Sequence, residues 1–249
     1  LNFLVDNPSI EDVSNKLFQL GHEHEVEDSI FDIEFTPNRG DCLSVLGLAR
    51  DLNFFYKTNL ELSTYEAEIP ELELNFTNNA EEKCSAISFL NIEIENEVND
   101  YNDYLENYFI DLRLNKNNFF TDVSNYIAYE MGQPTHCYDS NSLDSDITLT
   151  NDIKEDHFKT LLGNEINIDE SDLVFLSNNK VINLAGVVGS MDTSCSKNSK
   201  NVLIECAYFS PESIMGKSVK YNLQSDASHK FERGVDPKSQ EKVLRRFIH

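Results

Sequence analysis

The sequence predicts a mixed α+β fold, in which a small helical N-terminal unit precedes a larger α/β module. Apolar residues recur with helical spacing near the start and in the middle of the chain, and short runs that alternate apolar with polar residues are typical of strands elsewhere. These elements follow no regular βαβ alternation, which favours a mixed arrangement. With 249 residues, of which 40% are hydrophobic, the chain is long enough to bury a core in each part.

The N-terminal unit is predicted over residues 1–65. Ser9 can cap a first amphipathic helix that Gly21 terminates. Alternating apolar residues over 31–35 predict a half-buried strand, and the turn TPNRGD then leads to a second helix that Asp41 can cap. The acidic, proline-containing stretch LELSTYEAEIPELE that follows shows little periodicity, so we place the domain boundary there and assign residues 66–249 to the larger module.

In the larger module, alternation and turn residues predict a series of short strands. Helical spacing appears around residues 105–112, and a capping residue followed by proline predicts helices that start at Ser210-Pro211 and Asp236-Pro237. Asn178-Asn179 and Gly163-Asn164 are typical of tight turns between paired strands. The predicted strands lie at 72–76, 87–94, 147–150, 158–162, 165–168, 173–176, 180–184 and 202–206.

Composition narrows the function classes. No apolar run approaches the roughly 18 residues that span a bilayer, so no membrane role is expected. Five cysteines without a C-x-x-C pair indicate reduced thiols in a cytoplasmic protein. The formal net charge is −24, yet residues 214–249 carry eight basic and four acidic side chains. This segment either meets a polyanion or merely solvates helix faces, and charge alone favours neither.

Five sequence blocks occur in a fixed order and carry polar residues at the ends of predicted elements. They resemble the beta subunit of bacterial phenylalanyl-tRNA synthetase, and together they are far more specific than any one alone. The blocks are FTPNRGDCLSVLGLARDL (35–52), DVSNYIAYEMGQPTHCYD (122–139), LAGVVGS (184–190), NVLIECAYFSP (201–211) and SDASHKFERGVDP (225–237).

The resemblance implies a fragment of a larger enzyme. In that family the beta subunit pairs with an alpha subunit, as a heterotetramer of two copies of each, and the assembly attaches phenylalanine to tRNA(Phe) with ATP and magnesium. A beta-subunit module with a barrel-like β core hydrolyses tyrosine that has been attached to this tRNA by mistake. We therefore expect residues 66–249 to be this editing module, without a cofactor of its own. The oligonucleotide-binding barrel that most relatives insert in the first unit is absent, because residues 22–29 run directly into the 31–35 strand.

Within the resemblance, Glu205 and His136 are the principal candidate residues. An apolar pocket rejects an added hydroxyl by only about a hundredfold, so a second site that reads the tyrosine hydroxyl is useful. Glu205, at the end of an apolar strand, could accept a hydrogen bond from that hydroxyl, although it could equally be an ion-paired strand residue. His136, after a Gly-Gln-Pro-Thr loop, could orient the ester, the ribose or a water, or be structural.

The remaining candidate residues are small or polar. Ser124 and Asn125, expected to open a helix, could contact the ester and the substrate or simply cap the helix. Gly186 and Gly189 would let the backbone approach a ligand, or only serve a tight turn. Ser225 and Ala227 match the family's pocket wall.

Two alternatives complete the prediction. The sequence His22-Glu23-His24-Glu25 could suggest a metal site, but no further ligand spacing supports it, and a solvated turn is favoured. A scaffold of the same synthetase that binds tRNA but has lost editing is the competing function, because the chain is acidic and lacks the barrel insertion.

Overall fold

The computed structural model describes residues 4–144, 146–153 and 156–249. Residues 1–3 of the predicted N-terminal unit and residues 145, 154 and 155 of the larger module lie outside the described part. The mixed α+β prediction is confirmed, because helices and strands are interspersed along the whole described chain. No helix in the described ranges has both the length and the apolar character needed to cross a membrane.

The N-terminal unit is built around a β-hairpin and two helices. Its elements are α1 (Ile10–Gln19), β1 (Glu23–Glu27), β2 (Ile30–Glu34) and α2 (Val45–Leu52). Ser9 caps α1 as predicted, since its hydroxyl accepts from the Asp12 amide at 3.1 Å. The predicted Asp41 cap of α2 is wrong: Asp41 lies in a short 3₁₀ turn, and Ser44 caps α2 by accepting from the Gly47 amide at 3.0 Å. The predicted solvated turn at 22–25 is also wrong, because Glu23–Glu27 pairs with β2 as an antiparallel strand.

The larger module contains the remaining ten strands and six helices of the described chain. In order they are β3 (Asn75–Asn78), β4 (Ala86–Glu93), α3 (Asp103–Asp111), α4 (Phe119–Met131), β5 (His136–Asp139), β6 (Asp146–Thr150), β7 (Asp156–Lys159), β8 (Glu165–Ile168), β9 (Val174–Ser177), β10 (Lys180–Leu184), β11 (Val188–Gly189), β12 (Asn201–Tyr208), α5 (Pro211–Ile214), α6 (Lys217–Tyr221), α7 (Asp226–Arg233) and α8 (Gln240–Ile248).

Two open sheets face each other in this module. The first has the strand order β4-β12-β5 and is antiparallel throughout, and the second has the order β11-β10-β9-β6-β3. Buried residues of both sheets share one core, in which the rings of Phe76 and Phe89 meet edge to face at 4.9 Å. No sheet of the described residues closes on itself, so the barrel-like core implied by the resemblance is replaced by two packed open sheets.

The opposite face of the three-stranded sheet is covered by α4 and α8. Alternation along β12 directs Ile204 and Cys206 to this side, where they join Ile127 of α4 and Leu244 and Phe247 of α8 in a second apolar cluster. Since successive residues of a strand point to opposite faces, Leu203, Glu205 and Ala207 point into the space between the two sheets. The sheet order therefore places Glu205 between layers rather than at the surface.

The N-terminal unit packs directly on the helices that flank this space. The turn before α2 lies against the end of α7, because a Cβ on Gly40 would be 2.6 Å from the carbonyl oxygen of Arg233. Lys230 of α7 donates to the carbonyl of Leu43. Ser44 also lies beside Gly132, the left-handed residue that ends α4.

The predicted boundary at 60–73 coincides with an extended segment without helix or strand. It is held to the larger module by side chains of α8. Arg245 donates to the carbonyl oxygens of Tyr65 and Ala67, at 2.9 and 3.1 Å, and Arg246 donates to that of Ser63 at 3.1 Å. Three backbone acceptors of this segment are thus paired without a sheet.

Candidate functional site

Strand register brings the two principal candidates together. In the antiparallel pair β5–β12, His136 is the direct partner of Glu205. Directly opposed residues lie on the same face of a sheet, with Cβ atoms about 4.5–5.5 Å apart, so both side chains point between the two sheets. His136 is the first residue of β5 rather than part of the preceding loop, which ends at Thr135. Residues 69 positions apart in sequence are thereby neighbours.

Glu205 is buried, with 4% of its surface exposed, and its carboxyl group is hydrogen-bonded inside the protein. The Tyr138 hydroxyl donates to its Oε2 at 3.1 Å, and Asn183 Nδ2 lies 3.5 Å from the same oxygen. Burial raises the pKa of the Glu205 carboxyl to about 8, an effect that the Tyr138 hydrogen bond partly offsets. The raised pKa favours the protonated carboxylic acid at neutral pH, which can donate as well as accept a hydrogen bond, and Glu205 forms no ion pair among the described residues.

His136 presents a buried nitrogen without a hydrogen-bond partner. Its Nε2 has no protein donor or acceptor, and burial lowers the pKa of the imidazole to about 4. The ring meets Tyr138 edge to face, with centroids 4.4 Å apart. A Cβ added to Gly189 would lie 2.2 Å from His136 Cε1 and 2.5 Å from Nε2, so β11 passes directly over the imidazole. His136 is consequently neutral at physiological pH, and its reactive edge faces the backbone of Gly189.

Ser124 and Asn125 lie in the middle of α4, which corrects the prediction that they open it. The helix starts at Phe119, and Asn118 caps it by accepting from the Thr121 amide at 3.1 Å. Ser124 is buried and its hydroxyl lies 2.8 Å from both the carbonyl oxygen and Oγ1 of Thr135, so it fastens the loop that precedes His136. Asn125, the next residue of the helix, is exposed.

Gly186 and Gly189 are both required by close packing. Gly186 has φ +70°, and a Cβ there would lie 2.8 Å from Ile214 Cδ1, so this glycine serves a tight turn against α5. Gly189 allows β11 to contact His136. At both positions the backbone lies against other groups of the protein, and approach to a ligand stays a prediction.

Ser225 and Ala227 lie at the start of α7. Ser225 caps this helix, since its Oγ accepts from the Ser228 amide at 3.1 Å, and it donates to the carbonyl of Val187 at 2.8 Å. It thus ties α7 to the segment between the two glycines, and a polar surface cavity of about 620 Å³ opens beside it. Ala227 is half-buried and packs against the core between the sheets.

Sequence reasoning missed Tyr138 and Asn183. Asn183 Nδ2 donates to the Tyr138 hydroxyl at 2.9 Å, and Tyr138 in turn donates to Glu205, which forms a buried chain of three side chains. The period of two along β5 could have placed Tyr138 on the same face as His136. The pairing with Asn183 of β10 had no signal in the sequence, because it depends on the packing of two separate sheets.

The basic C-terminal segment is largely engaged within the protein. Asp172, which is fully buried, pairs with Lys217 at 2.8 Å and Lys220 at 3.0 Å. Lys230 and Arg233 donate to backbone carbonyls. Arg245 and Arg246 pair with Glu241 and Glu130. Six of the eight basic side chains of residues 214–249 therefore bind groups of this chain, a role that neither predicted alternative, a polyanion site or solvated helix faces, had described.

His22 belongs to an ion-pair cluster. It is buried, and its Nε2 lies 3.0 Å from Asp51 Oδ2, with Cys42 close by. The Arg39 guanidinium donates to Asp51 Oδ2 and Cys42 Sγ, each at 2.6 Å, and so occupies the centre where an ion would bind. Burial, followed by the nearby Asp51 charge, raises the pKa of the Cys42 thiol to about 12. A protonated thiol and a guanidinium do not fit a metal centre.

These features define an α+β module with a buried carboxylic acid opposite an unprotonated imidazole. A model of the B3/4 domain matches residues 88–249, so the chain belongs to the B3/4 domain family. It is similar to the phenylalanine–tRNA ligase beta subunits of Francisella tularensis, with 32% identity over 97% of this chain and 30% of that protein, and of Photorhabdus laumondii, with 33% identity over 89% and 28%. The chain thus spans about three tenths of the length of these relatives.

One solved structure also aligns with the chain. It is an N-terminal fragment of the phenylalanyl-tRNA synthetase beta subunit from Pyrococcus horikoshii. The alignment has a TM-score of 0.41 and 15% identity, and it covers 80% of this chain and 63% of that one.

The protonated state of Glu205 predicts a pH-dependent stability difference. Between pH 4.5 and about 8 the folded protein keeps a proton on Glu205 that the unfolded chain releases, so this group destabilises the fold as pH rises. Glu205→Gln removes the titrating carboxyl group and with it this dependence of stability on pH. We expect the free energy of unfolding of the variant, relative to that of the wild type, to rise by up to about 1.4 kcal/mol per pH unit across this window, as measured by urea unfolding. The exposed Glu93→Gln is the matched control, and a Glu205→Gln difference that stays constant with pH would contradict a neutral Glu205.

Proposed function

We propose that this chain is part of a phenylalanine–tRNA ligase beta subunit, and that its larger module hydrolyses tyrosine from mischarged tRNA(Phe). The observation that carries the proposal is the register of β5 and β12, which sets His136 directly opposite Glu205 between the sheets. The acid that would recognise the tyrosine hydroxyl and the imidazole that would orient the ester are then neighbours on one face of the same sheet. We assign residues 1–65 to the N-terminal unit, whose described part packs on α4 and α7, and residues 66–249 to the editing module.

Glu205 distinguishes tyrosine from phenylalanine through its hydrogen-bonding capacity. As a neutral acid it offers one O–H donor and acceptor oxygen, and a phenol can satisfy either, whereas phenylalanine satisfies neither. A buried polar group left unpaired costs roughly 1–3 kcal/mol, which corresponds to a preference of about 5- to 150-fold. Tyrosine is the ligand that suits such an acid, because its ring carries a hydroxyl that can exchange a hydrogen bond with the carboxyl group and the ring of phenylalanine does not.

His136 orients the reaction rather than acting as a strong base. In the hydrolysis a water oxygen forms a bond to the ester carbonyl carbon, the bond to the ribose oxygen breaks, and that oxygen takes a proton from the water. An imidazole whose pKa is about 4 is a weak base, but its buried Nε2 can hold one hydrogen bond to the water, the ester or the ribose. Ser124 acts through the Thr135 loop, and the exposed Asn125 is available to the tRNA end.

The whole enzyme supplies the other partners. An alpha subunit, in a heterotetramer of two alpha and two beta chains in the cytoplasm, uses ATP and magnesium to attach phenylalanine to tRNA(Phe). No described residue of this chain is assigned to ATP or magnesium. The cluster of His22, Cys42 and Asp51 does not fit magnesium, which prefers oxygen ligands, and Arg39 fills it.

The decisive experiment measures deacylation of preformed tyrosyl-tRNA(Phe) by the intact alpha/beta enzyme. We expect His136→Ala and Glu205→Ala each to lose deacylation by about 100-fold or more, while phenylalanylation continues. His157→Ala and Glu93→Ala are matched controls, since both side chains are exposed. Full deacylation by the two principal variants would overturn the proposed roles.

A tRNA-binding scaffold without editing is the second candidate function. Its specific support is that Glu205 is already hydrogen-bonded to Tyr138, and that Gly189 lies against the reactive edge of His136. Absence of deacylation by the unsubstituted enzyme, with normal phenylalanylation, would favour the scaffold.

A further inference from the structure

The hydroxyl of Tyr138 is hydrogen-bonded to Glu205, the side chain that the proposed site uses to recognise the hydroxyl of tyrosine. Tyr138 is fully buried on β5, two residues after His136, and its hydroxyl donates to Glu205 Oε2 at 3.1 Å. A tyrosyl ligand would present the same chemical group, a phenol, to the same carboxyl. The protein thus contains an internal phenol where an external one is to be recognised.

Asn183 fixes the direction of this hydrogen bond. Its Nδ2 is a donor and lies 2.9 Å from the Tyr138 oxygen, so the proton of Tyr138 is directed to Glu205. Tyr138 is further confined by the His136 ring, 4.4 Å away and inclined at 73°. Burial, with the nearby Glu205, also raises the pKa of Tyr138 well above its ordinary value, which keeps the phenol protonated as a donor.

An internal partner changes the energetics of discrimination. If Glu205 had no protein partner, phenylalanine in the site would leave it fully unpaired, and tyrosine would remove that penalty. With Tyr138 in place, part of the hydrogen-bonding capacity of Glu205 is satisfied whichever ligand is bound. The substrate hydroxyl must then displace Tyr138 or use what remains of the carboxyl group, and the difference between the two ligands is smaller.

We propose that Tyr138 is a specificity-determining residue, whose hydroxyl competes with the substrate hydroxyl for Glu205 and limits the selectivity for tyrosyl over phenylalanyl esters. This role rests on the proposed editing function. It assigns to Tyr138 a task that ring packing alone does not require, because phenylalanine would fill the same volume in the core.

The test compares deacylation of tyrosyl-tRNA(Phe) and phenylalanyl-tRNA(Phe) by the intact alpha/beta enzyme and its Tyr138→Phe variant. We expect the ratio of kcat/KM for the two substrates to rise about tenfold in the variant, because Glu205 is released for the substrate phenol. Tyr101→Phe is the matched control: it also removes a phenol that donates to a carboxylate, Asp122 at 2.6 Å, but its partner is not Glu205. Its ratio should not change.

A second measurement tests the contact without turnover. The hydrogen bond from Tyr138 lowers the pKa of Glu205, so Tyr138→Phe should raise the pH at which the Glu205 carboxyl titrates, followed by carbon-13 NMR of labelled glutamate. Asn183→Ala in the Tyr138→Phe background checks whether Nδ2 moves onto the freed oxygen. An unchanged ratio in both the single and the double variant overturns the role of Tyr138.

The outcomes separate this inference from the proposed function. If Glu205→Ala abolishes deacylation while Tyr138→Phe leaves the ratio unchanged, editing stands and the competitor role fails. If the unsubstituted enzyme does not deacylate tyrosyl-tRNA(Phe), the proposed function fails and the role of Tyr138 fails with it.

Discussion

Glu130→Ala should destabilise the protein by about 3–5 kcal/mol, because it leaves a buried arginine without its counter-ion. Glu130 of α4 and Arg246 of α8 form a two-point ion pair, with Nε–Oε2 and Nη2–Oε1 distances of 2.7 and 2.8 Å. Their side chains are 8% and 10% exposed, so water cannot replace the lost partner. Tyr126 also donates to Glu130 at 2.8 Å and would lose its acceptor.

Urea unfolding of the variant measures this loss, and α8 itself supplies the control. Glu241→Ala breaks the pair between Glu241 and Arg245 on the same helix, but the Glu241 side chain is 79% exposed. Such a pair contributes no more than about 0.5 kcal/mol. Replacing Glu130 and Arg246 together by leucine and methionine should recover most of the lost stability, since no charge is then stranded. A loss below about 1 kcal/mol in Glu130→Ala would show that the guanidinium remains solvated.

The ion pair between Glu130 and Arg246 also helps to position the candidate site. The helix α4 ends at Gly132, and the next residues form the loop that leads to His136. Because α8 holds α4 through Glu130, and Arg245 and Arg246 also hold the 60–73 segment, one helix fixes both the linker and the entry to β5. The basic residues of the C-terminal segment that suggested a polyanion are in large part the residues that assemble the module.

The sequence correctly predicted the hairpins whose turns depend only on the residues of the turn itself. Asn178 and Asn179 adopt φ of 49° and 60°, the left-handed conformation that the turn between β9 and β10 requires, and the predicted hairpin is confirmed. Gly163, at φ +86°, marks the turn between β7 and β8 in the same way. The turn type is encoded in these residues, so sequence was sufficient.

Two predicted helix starts were wrong, because the side chain expected to cap the helix forms other contacts. Asp236-Pro237 was expected to start a helix, but Asp236 Oδ1 accepts from the Lys238 amide at 2.9 Å and forms a turn instead. Helix α8 therefore begins at Gln240. At α2 the predicted cap, Asp41, instead forms ion pairs with Arg39 and Arg50. The amide of Lys238 and the guanidinium of Arg39 each lie two residues from the aspartate, so the competing contacts are themselves local and the capping pattern alone does not rank them.

The candidate site was predictable in its identities but not in its partners. The 122–139 and 201–211 blocks supplied His136 and Glu205, and their direct pairing follows from strand register. The protonated state of Glu205 and its bond to Tyr138 follow from burial between two sheets, which no single segment specifies. For the same reason Ser124 was expected at a helix start, whereas the helix begins five residues earlier at Phe119.

Gly189→Ala should reduce deacylation of tyrosyl-tRNA(Phe) by about 100-fold or more and destabilise the protein by about 1–3 kcal/mol. The added Cβ would lie 2.2 Å from His136 Cε1, far inside van der Waals contact, so either the imidazole or β11 must move. Leu161 donates to the Gly189 carbonyl at 2.9 Å, and β11 is paired with β10, which restrains the strand. We therefore expect the imidazole to be displaced from its position opposite Glu205.

A double variant separates displacement of His136 from general damage. Gly189→Ala/His136→Ala removes the clash, so stability should return toward that of His136→Ala alone, while activity should not return. Gly163→Ala is the control, because nothing lies within 4 Å of its Cβ position and only the strain of its turn is added. If Gly189→Ala kept both normal stability and normal deacylation, β11 would have to move away from the imidazole without a cost in stability. The close contact between Gly189 and His136 would then not position the imidazole. Full activity with lowered stability would instead show that Gly189 serves packing alone. The orientation of His136 would then play no part in the mechanism.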